Sequence, residues 1–144
     1  MAVVEKSVLI GHSAQDMYKL VTQVDDYPKF LPWCGGTEVL ASSDDRMVAT
    51  LKINFKGIRQ QFTTENVNTP TSRIQMTLKD GPFKHLDGVW EFIPLMDDAC
   101  KIQFKLHYEF SSKLLEGLIG PVFSHIANTF VDSFVKRADQ VYIK

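Results

Sequence analysis

The side chains best suited to acid–base, nucleophilic or metal chemistry in this 144-residue chain are four histidines and two cysteines, and their spacing argues against all three. His12, His85, His107 and His125 are scattered over turn, strand and helix, with no H-x-x-x-H step and no cysteine at metal-ligand spacing. Cys34 and Cys100 make no C-x-x-C. A nucleophilic Cys34 would want a histidine and a positive environment, and neither stands near it in sequence, so it reads as a structural thiol. His107 alternates with an apolar face and is expected to point to solvent. Asp25-Asp26 reads as a helix start and not as a carboxylate pair. There is no G-x-S-x-G elbow, no phosphate-binding loop and no dinucleotide fingerprint. The expected catalytic set is therefore empty, and so is the metal set.

What remains is the chemistry of binding. Phe30-Leu31-Pro32-Trp33-Cys34-Gly35-Gly36 sets large apolar side chains beside a proline and two glycines, a composition that argues against regular structure. Loops normally run over the surface and are polar. An apolar loop is either a plug on the core or a surface kept for a ligand, partner or membrane. As a lid, Phe30, Leu31, Pro32 and Trp33 would cover a cavity mouth, with Gly35-Gly36 as hinge. Asp80-Gly81-Pro82-Phe83 is a turn signal with an aromatic at its tip; Pro82 and Phe83 would flank that lid, or Phe83 would pack down. Trp90, Phe104, Tyr108, Phe123, Ala127, Phe130 and Phe134 are the cavity-lining candidates, each of which serves as ordinary core in the plainer reading. Gln60, Gln61, Thr63 and Thr64 lie on a strand whose two faces look alike. Pointing inward they would hydrogen-bond a ligand carbonyl, and pointing outward they would meet water. Lys29, Lys52, Lys56 and Arg59 would, if gathered, form a basic patch for RNA or an anionic membrane surface.

The elements that position these residues follow from hydrophobic period. Val3 to Ile10 alternates as a strand. Ser13 caps a helix carrying Met17, Leu20 and Val21 on one face, and Asp25-Asp26 opens a shorter helix. From Thr37 the period becomes two. Strands are expected over Glu38–Ser42, Met47–Phe55, Arg59–Val67, Arg73–Lys79, Val89–Ile93 and Lys101–Phe110, with turns at Ser43–Asp45, Gly57, Asn68–Thr71, Asp80–Phe83 and Pro94–Asp98. From Ser112 the period becomes helical. Leu115, Leu118, Ile119, Val122, Phe123, Ile126, Phe130, Phe134, Ala138 and Val141 recur at steps of three and four. Gly120-Pro121 predicts a kink or a fresh helix start, and from Pro121 to Tyr142 the helix would run roughly 33 Å. Short turns imply antiparallel pairing, and polar-out alternation implies one covered face. Only the last helix is long enough to cover such a sheet. The sheet must curl to hold it, and one helix in a curled sheet leaves apolar space between them.

Totals narrow the classes. A net charge of −1 gives no electrostatic case for nucleic acid as the main ligand, and no DNA partner is expected. No uninterrupted apolar run approaches the roughly 18 residues that span a membrane. The first eleven residues carry Glu5 and Lys6 and lack a small-residue cleavage site, so they read as strand and not as a signal peptide. One domain over residues 1–144, with reduced thiols in the cytoplasm, is the expectation.

Three blocks resemble a known family. Asp26-Tyr27-Pro28-Lys29-Phe30-Leu31-Pro32-Trp33-Cys34 is similar to the hallmark of the coenzyme Q-binding START-domain family, which also contains bacterial ribosome-association toxins. Asp80-Gly81-Pro82-Phe83-Lys84 with Leu86, Gly88, Trp90, Phe92 and Pro94-Leu95 resembles the second block. Gly120-Pro121-Val122-Phe123 through Phe130-Val131-Asp132, Phe134-Val135, Arg137-Ala138 and Val141-Tyr142 resembles the C-terminal helix. The resemblance covers nearly the whole chain. It implies an α+β helix-grip fold of START/Bet v 1 type, in the order β-α-α-β6-α, with about seven strands curled around the last helix. It also implies binding of ubiquinone or a related polyisoprenoid lipid, with no cofactor required, as a quinone chaperone supporting respiration. The alternatives it carries are association with the large ribosomal subunit, and a polyketide cyclase-like activity that would need an acid–base residue such as Tyr108 in the cavity. A cytoplasmic protein, meeting the inner membrane peripherally to exchange lipid, fits the first reading.

Overall fold

A computed structural model describes residues 2–142. The elements in chain order are β1 (Ala2–Ile10), α1 (Ala14–Thr22), a 3₁₀ turn (Val24–Lys29), β2 (Cys34–Ser42), β3 (Arg46–Phe55), β4 (Ile58–Thr69), β5 (Arg73–Asp80), β6 (Phe83–Met96), β7 (Ala99–Phe110) and α2 (Lys113–Val141). All strands join one seven-stranded antiparallel sheet in the order β1-β7-β6-β5-β4-β3-β2. The first strand pairs with the last, so the chain must travel from the β1 edge to the β2 edge before the hairpins walk it back. α1 and the 3₁₀ turn make that crossing, α1 against β6, β7 and α2, and the turn against β2.

Local chemistry explains the punctuation. Ser13 Oγ accepts the Asp16 amide at 3.0 Å and caps α1. Ser112 Oγ accepts the Leu115 amide at 3.2 Å and caps α2. Lys56 and Gly57 both take positive φ, 50° and 80°, which closes β3–β4 in a two-residue turn. Along β7 the alternation reads directly into burial, with Ile102, Phe104, Leu106 and Tyr108 inside.

Several boundaries differ from the sequence expectation. β2 begins at Cys34, because Gly35-Gly36 is absorbed into the strand at a bulge between Cys34 and Gly36. β6 runs over fourteen residues, far beyond Val89–Ile93, held by pairing with β7 from Phe83 to Met96. β4 continues to Thr69, so Asn68 is strand and not turn. α2 continues without interruption through Pro121. The α2 stripe also needs correction: Leu118 and Val141 are exposed, whereas Val131 is buried. At 100° per residue Leu118 lies roughly 150° from the centre of the buried face, whereas Ile119, also in the expected stripe, lies on it. By length and composition alone α2 would pass for a membrane span. In this fold its Ile119–Phe123–Ile126–Phe134 face is buried against the sheet and α1.

Candidate functional site

The concave face of the sheet does not close completely on α2. A narrow cavity of about 70 Å³ remains between them. On that measure one water needs roughly 10–15 Å³, so the space admits small molecules and must widen for a ring-bearing ligand. Its floor is Phe123, Ile126, Ala127 and Phe130 from α2, and its roof is Phe62, Ile74, Leu86, Trp90, Phe104 and Leu106 from the sheet. Trp90 lies 4.8 Å from Phe104 and 5.6 Å from Phe130, ring centre to ring centre, which fixes the aromatic wall. Among the lining residues Thr22, Met47, Leu51, Asn66, Met76 and Phe130 are half-buried, and Met47, Asn66 and Met76 face one another across β3, β4 and β5 as a rim.

One end of this apolar space is polar. Inward positions on β4 carry Phe62, Thr64, Asn66 and Asn68, while Val67 faces out. Thr64 Oγ1 donates to Asn66 Oδ1 at 2.9 Å. Asn68 Oδ1 and Trp33 Nε1 are buried without a hydrogen-bond partner, and both side chains line the cavity. The Tyr27 hydroxyl is turned away, donating to the Val21 carbonyl. Burial, and secondarily the nearby Cys34, push its pKa well above the ordinary phenol range.

The sequence candidates divide. Trp33, Trp90, Phe104, Phe123, Ala127 and Phe130 line the cavity together. Tyr108 and Phe134 are buried beyond it. Tyr108 packs on Phe83 and Phe123, whereas Phe134 packs on Tyr27, Phe30 and Trp90. The expected lid is split. Leu31 and Trp33 are buried, Phe30 is half-buried beneath the Arg137 guanidinium at 5.4 Å, and only Pro32 is exposed. Pro82 and Phe83 do not join them. Phe83 is buried on Phe110 and Phe123, whereas Trp33 meets Phe130, two helical turns or about 10 Å further along α2. The six residues expected at one mouth are therefore not gathered, because the apolar loop buries its largest side chains and Phe83 packs further along α2. Of the polar β4 candidates only Thr64 lines the cavity; Thr63 is buried in a 2.6 Å bond to Thr50, and Gln60 and Gln61 flank a shallow outer groove. Asn66 and Asn68 were not among the candidates, and the signal that would have found them is the even-numbered register from Phe62.

The groups with catalytic potential have other occupations. Burial raises the Cys34 thiol, the direction opposite to an activated nucleophile, and its Sγ donates to the Gly36 carbonyl at 3.4 Å. His12 meets Asp139 at 2.7 Å and ties the start of α1 to the end of α2. His107 lies 3.6 Å from Asp87 on the outer face. Among the described residues no cluster of His, Cys, Asp or Glu has metal-site geometry. Lys52 and Arg59 share the outer groove on β3–β4 and Lys56 caps the adjoining turn over the Phe55 ring, whereas Lys29 is engaged with Asp26 at 2.9 Å.

Comparison with known proteins gives this geometry a context. Residues 10–135 match the family model described as polyketide cyclase / dehydrase and lipid transport. The chain is 45% identical over 142 residues to the ribosome association toxin RatA of Vibrio cholerae, covering 99% of each. It is 30% identical over 141 residues to the coenzyme Q-binding protein COQ10 homolog B, mitochondrial, of Xenopus laevis, covering 95% of this chain and 58% of that one. A START superfamily protein from Mycobacterium smegmatis superposes with a TM-score of 0.76 at 21% identity, over 96% of this chain and 98% of that one, a likeness of fold.

Proposed function

The chain belongs to the polyketide cyclase / dehydrase and lipid transport family, and from that premise we propose that its cavity carries one apolar molecule of the quinone class, without chemical conversion. The observation that carries this reading is the cavity between α2 and the sheet, walled by Trp90, Phe104 and Phe130 and edged on β4 by the polar side chains Thr64, Asn66 and Asn68. That is the composition of a pocket that holds an apolar body and orients one polar head. Each buried methylene contributes roughly 0.8 kcal/mol, so an isoprenoid tail along α2 binds without any charged contact. Met47 and Met76 on the rim are unbranched and adaptable, which suits a cavity that must widen around its guest. A carrier of this kind would work in the cytoplasm and exchange its lipid at the inner membrane, in support of respiration.

Mass spectrometry of an organic extract of the purified protein tests the proposal. Bound quinone, or stoichiometric uptake of added quinone by stripped protein, is the expected result. Neither in repeated trials would overturn it.

A second reading rests on the relatives named as ribosome association toxins together with the exposed cations Lys52, Lys56 and Arg59 on one outer surface. Here the chain would contact the large ribosomal subunit through that face and prevent the subunits from joining. Cosedimentation with large subunits that falls steeply with salt is the expected result. A profile matching an unrelated acidic protein at every salt concentration removes it.

A further inference from the structure

The outward side of α2 changes character halfway along the helix. In the first half Leu114 is 72% exposed and Leu118 58%, and Pro121 is exposed beside them. At 100° per residue these three share an arc of about 120° with the half-buried Leu115 and Val122, and His125 is the one polar side chain on it. Glu116 lies about 160° from the centre of that arc, and no other charge stands between Leu114 and His125. In the second half the same arc carries Asp132, Lys136 and Asp139, an ordinary solvated face. Core packing does not account for the leucines: of the most apolar 18-residue stretch of α2, 28% is buried.

The arc is bordered by cations. The Phe55 and His125 rings stack at 5.7 Å, which brings the β3–β4 turn against α2 at the end of the apolar stretch. Lys56 in that turn, its Nζ 5.4 Å from the Phe55 ring centre, and Arg59 just beyond it are exposed. Lys29, Arg46, Lys79 and Lys84 are each engaged with a carboxylate, whereas Lys56 and Arg59 meet none among the described residues. Lys113, on the opposite flank, is balanced by Glu116 in the same groove.

We propose that this arc is a docking surface for an anionic lipid bilayer, in which Leu114, Leu118 and Pro121 enter the headgroup–acyl boundary while Lys56 and Arg59 meet lipid phosphates. This rests on the carrier reading above and adds the face through which the carrier meets its membrane. An apolar arc bordered by cations is what an interfacial helix presents to anionic lipid. RNA would use the cations and leave the leucines in water. A two-fold pairing of this face with itself would cover the leucines but offer the cations only an equally basic surface. The helix lies along the bilayer and does not cross it, because Ile119, Phe123 and Ile126 on its other side are buried. Phe123 and Ile126 are also cavity floor, so docking holds the guest about one helix diameter, roughly 10 Å, from the lipid.

The test is flotation of the full chain with vesicles of phosphatidylcholine and of phosphatidylcholine mixed with phosphatidylglycerol. Binding to the anionic vesicles is expected to be about tenfold tighter than to the neutral ones. A Leu114→Ser, Leu118→Ser double variant should lose at least tenfold on both, with its thermal midpoint within about 3 °C of the unaltered protein because both side chains are exposed. Lys56→Glu with Arg59→Glu should weaken only the anionic binding. Leu118→Trp supplies a second readout should the serine variant fail to fold. Trp33 and Trp90 are buried, so a blue shift on adding anionic vesicles reports the new indole entering lipid. Equal vesicle binding in the serine variant, or no blue shift in Leu118→Trp, would overturn the docking face. So would a reversible dimer that the serine variant abolishes while vesicle binding persists, which assigns the arc to a second copy. No vesicle binding by a protein that still takes up quinone overturns the docking face and leaves the carrier reading standing. Loss of both overturns both.

Discussion

At the residue scale, the acidic side chains that the fold keeps neutral tie stability to alkaline pH. Burial raises the pKa of Tyr27, Cys34 and Cys100 above their ordinary values of 10.0 for the phenol and 9.0 for the thiols. In the unfolded chain the thiols ionise near pH 9 and the phenol near pH 10, while the folded chain holds those protons. The unfolded state therefore binds fewer protons in that window, and stability falls as pH rises through it. Below pH 8 these groups contribute no slope. Tyr27, the most deeply held, would add a slope approaching about 1.4 kcal/mol per pH unit above pH 10. The urea midpoint should accordingly hold steady from pH 7 to 8 and drop at pH 10.5, with a shallower fall in Tyr27→Phe. An equal midpoint at pH 8 and pH 10.5 in the unaltered protein would contradict the burial. At neutral pH the same variant should lose about 1–3 kcal/mol, because the Val21 carbonyl is left unmatched. Tyr27 also shows where reading residues from sequence stops. It was legible as part of an apolar motif but not as a cavity wall, since its role depends on a 3₁₀ turn crossing the sheet. Asn68 was hidden more thoroughly. Its Asn-Thr-Pro-Thr setting has turn composition, and the polar-inside, Val67-outside pattern of β4 inverts the usual rule at the place where a ligand would need it.

At the element scale, period and punctuation carried the architecture. The alternation of β7 and the three-four stripe of α2 are intrinsic to their sequences, so strand number, pairing sense and the enclosed helix could all be read before any coordinates. Glycine and proline misled where tertiary pairing outweighed local preference. Gly88 sits inside β6, and a Cβ there would meet Met76 Cε at 2.8 Å, Leu106 Cδ1 at 3.0 Å and the Lys105 carbonyl oxygen at 3.2 Å. The strand keeps a glycine because β5 and β7 close in on both sides, and the expected strand began one residue beyond it. Gly88→Ala should cost about 1–3 kcal/mol of overpacking in urea denaturation. Met76 and Leu106 both line the cavity, so the variant should also take up less ligand. Full uptake with unchanged stability would show that the neighbours relax freely. Pro121 gives the opposite sign. It lies exposed within a helix that the structure continues from Lys113 to Val141, where proline forfeits a backbone hydrogen bond and crowds the preceding turn. Pro121→Ala should therefore raise the unfolding free energy by about 1–3 kcal/mol. Destabilisation would mean that the proline's geometry is needed to aim the first turns of α2 past Phe110.

At the scale of the whole molecule, the two functional readings occupy different faces, and that separation makes them independent. The cavity lies between α2 and the concave side of the sheet, whereas Lys52 and Arg59 project from an outer groove on β3–β4. A guest that binds only the folded chain stabilises it by mass action, about 2.7 kcal/mol at a hundredfold excess over its dissociation constant. For a chain of this size that corresponds to roughly 5–10 °C in the thermal midpoint. Adding a short-tailed quinone should give this rise in the unaltered protein and equally in a Lys52→Glu, Arg59→Glu double variant, because neither side chain reaches the cavity. If the outer cations bind ribosomal RNA, the same double variant should lose cosedimentation with the large subunit and show a shallower salt dependence, since each phosphate contact removed lowers the slope by about one. The two measurements cross. A variant that keeps its thermal shift and loses the ribosome assigns the outer face to RNA and the interior to lipid. Loss of both from surface charge reversal alone would mean that the sheet transmits strain from β3–β4 to the cavity rim at Met47. The carrier and ribosome readings would then describe a single coupled device.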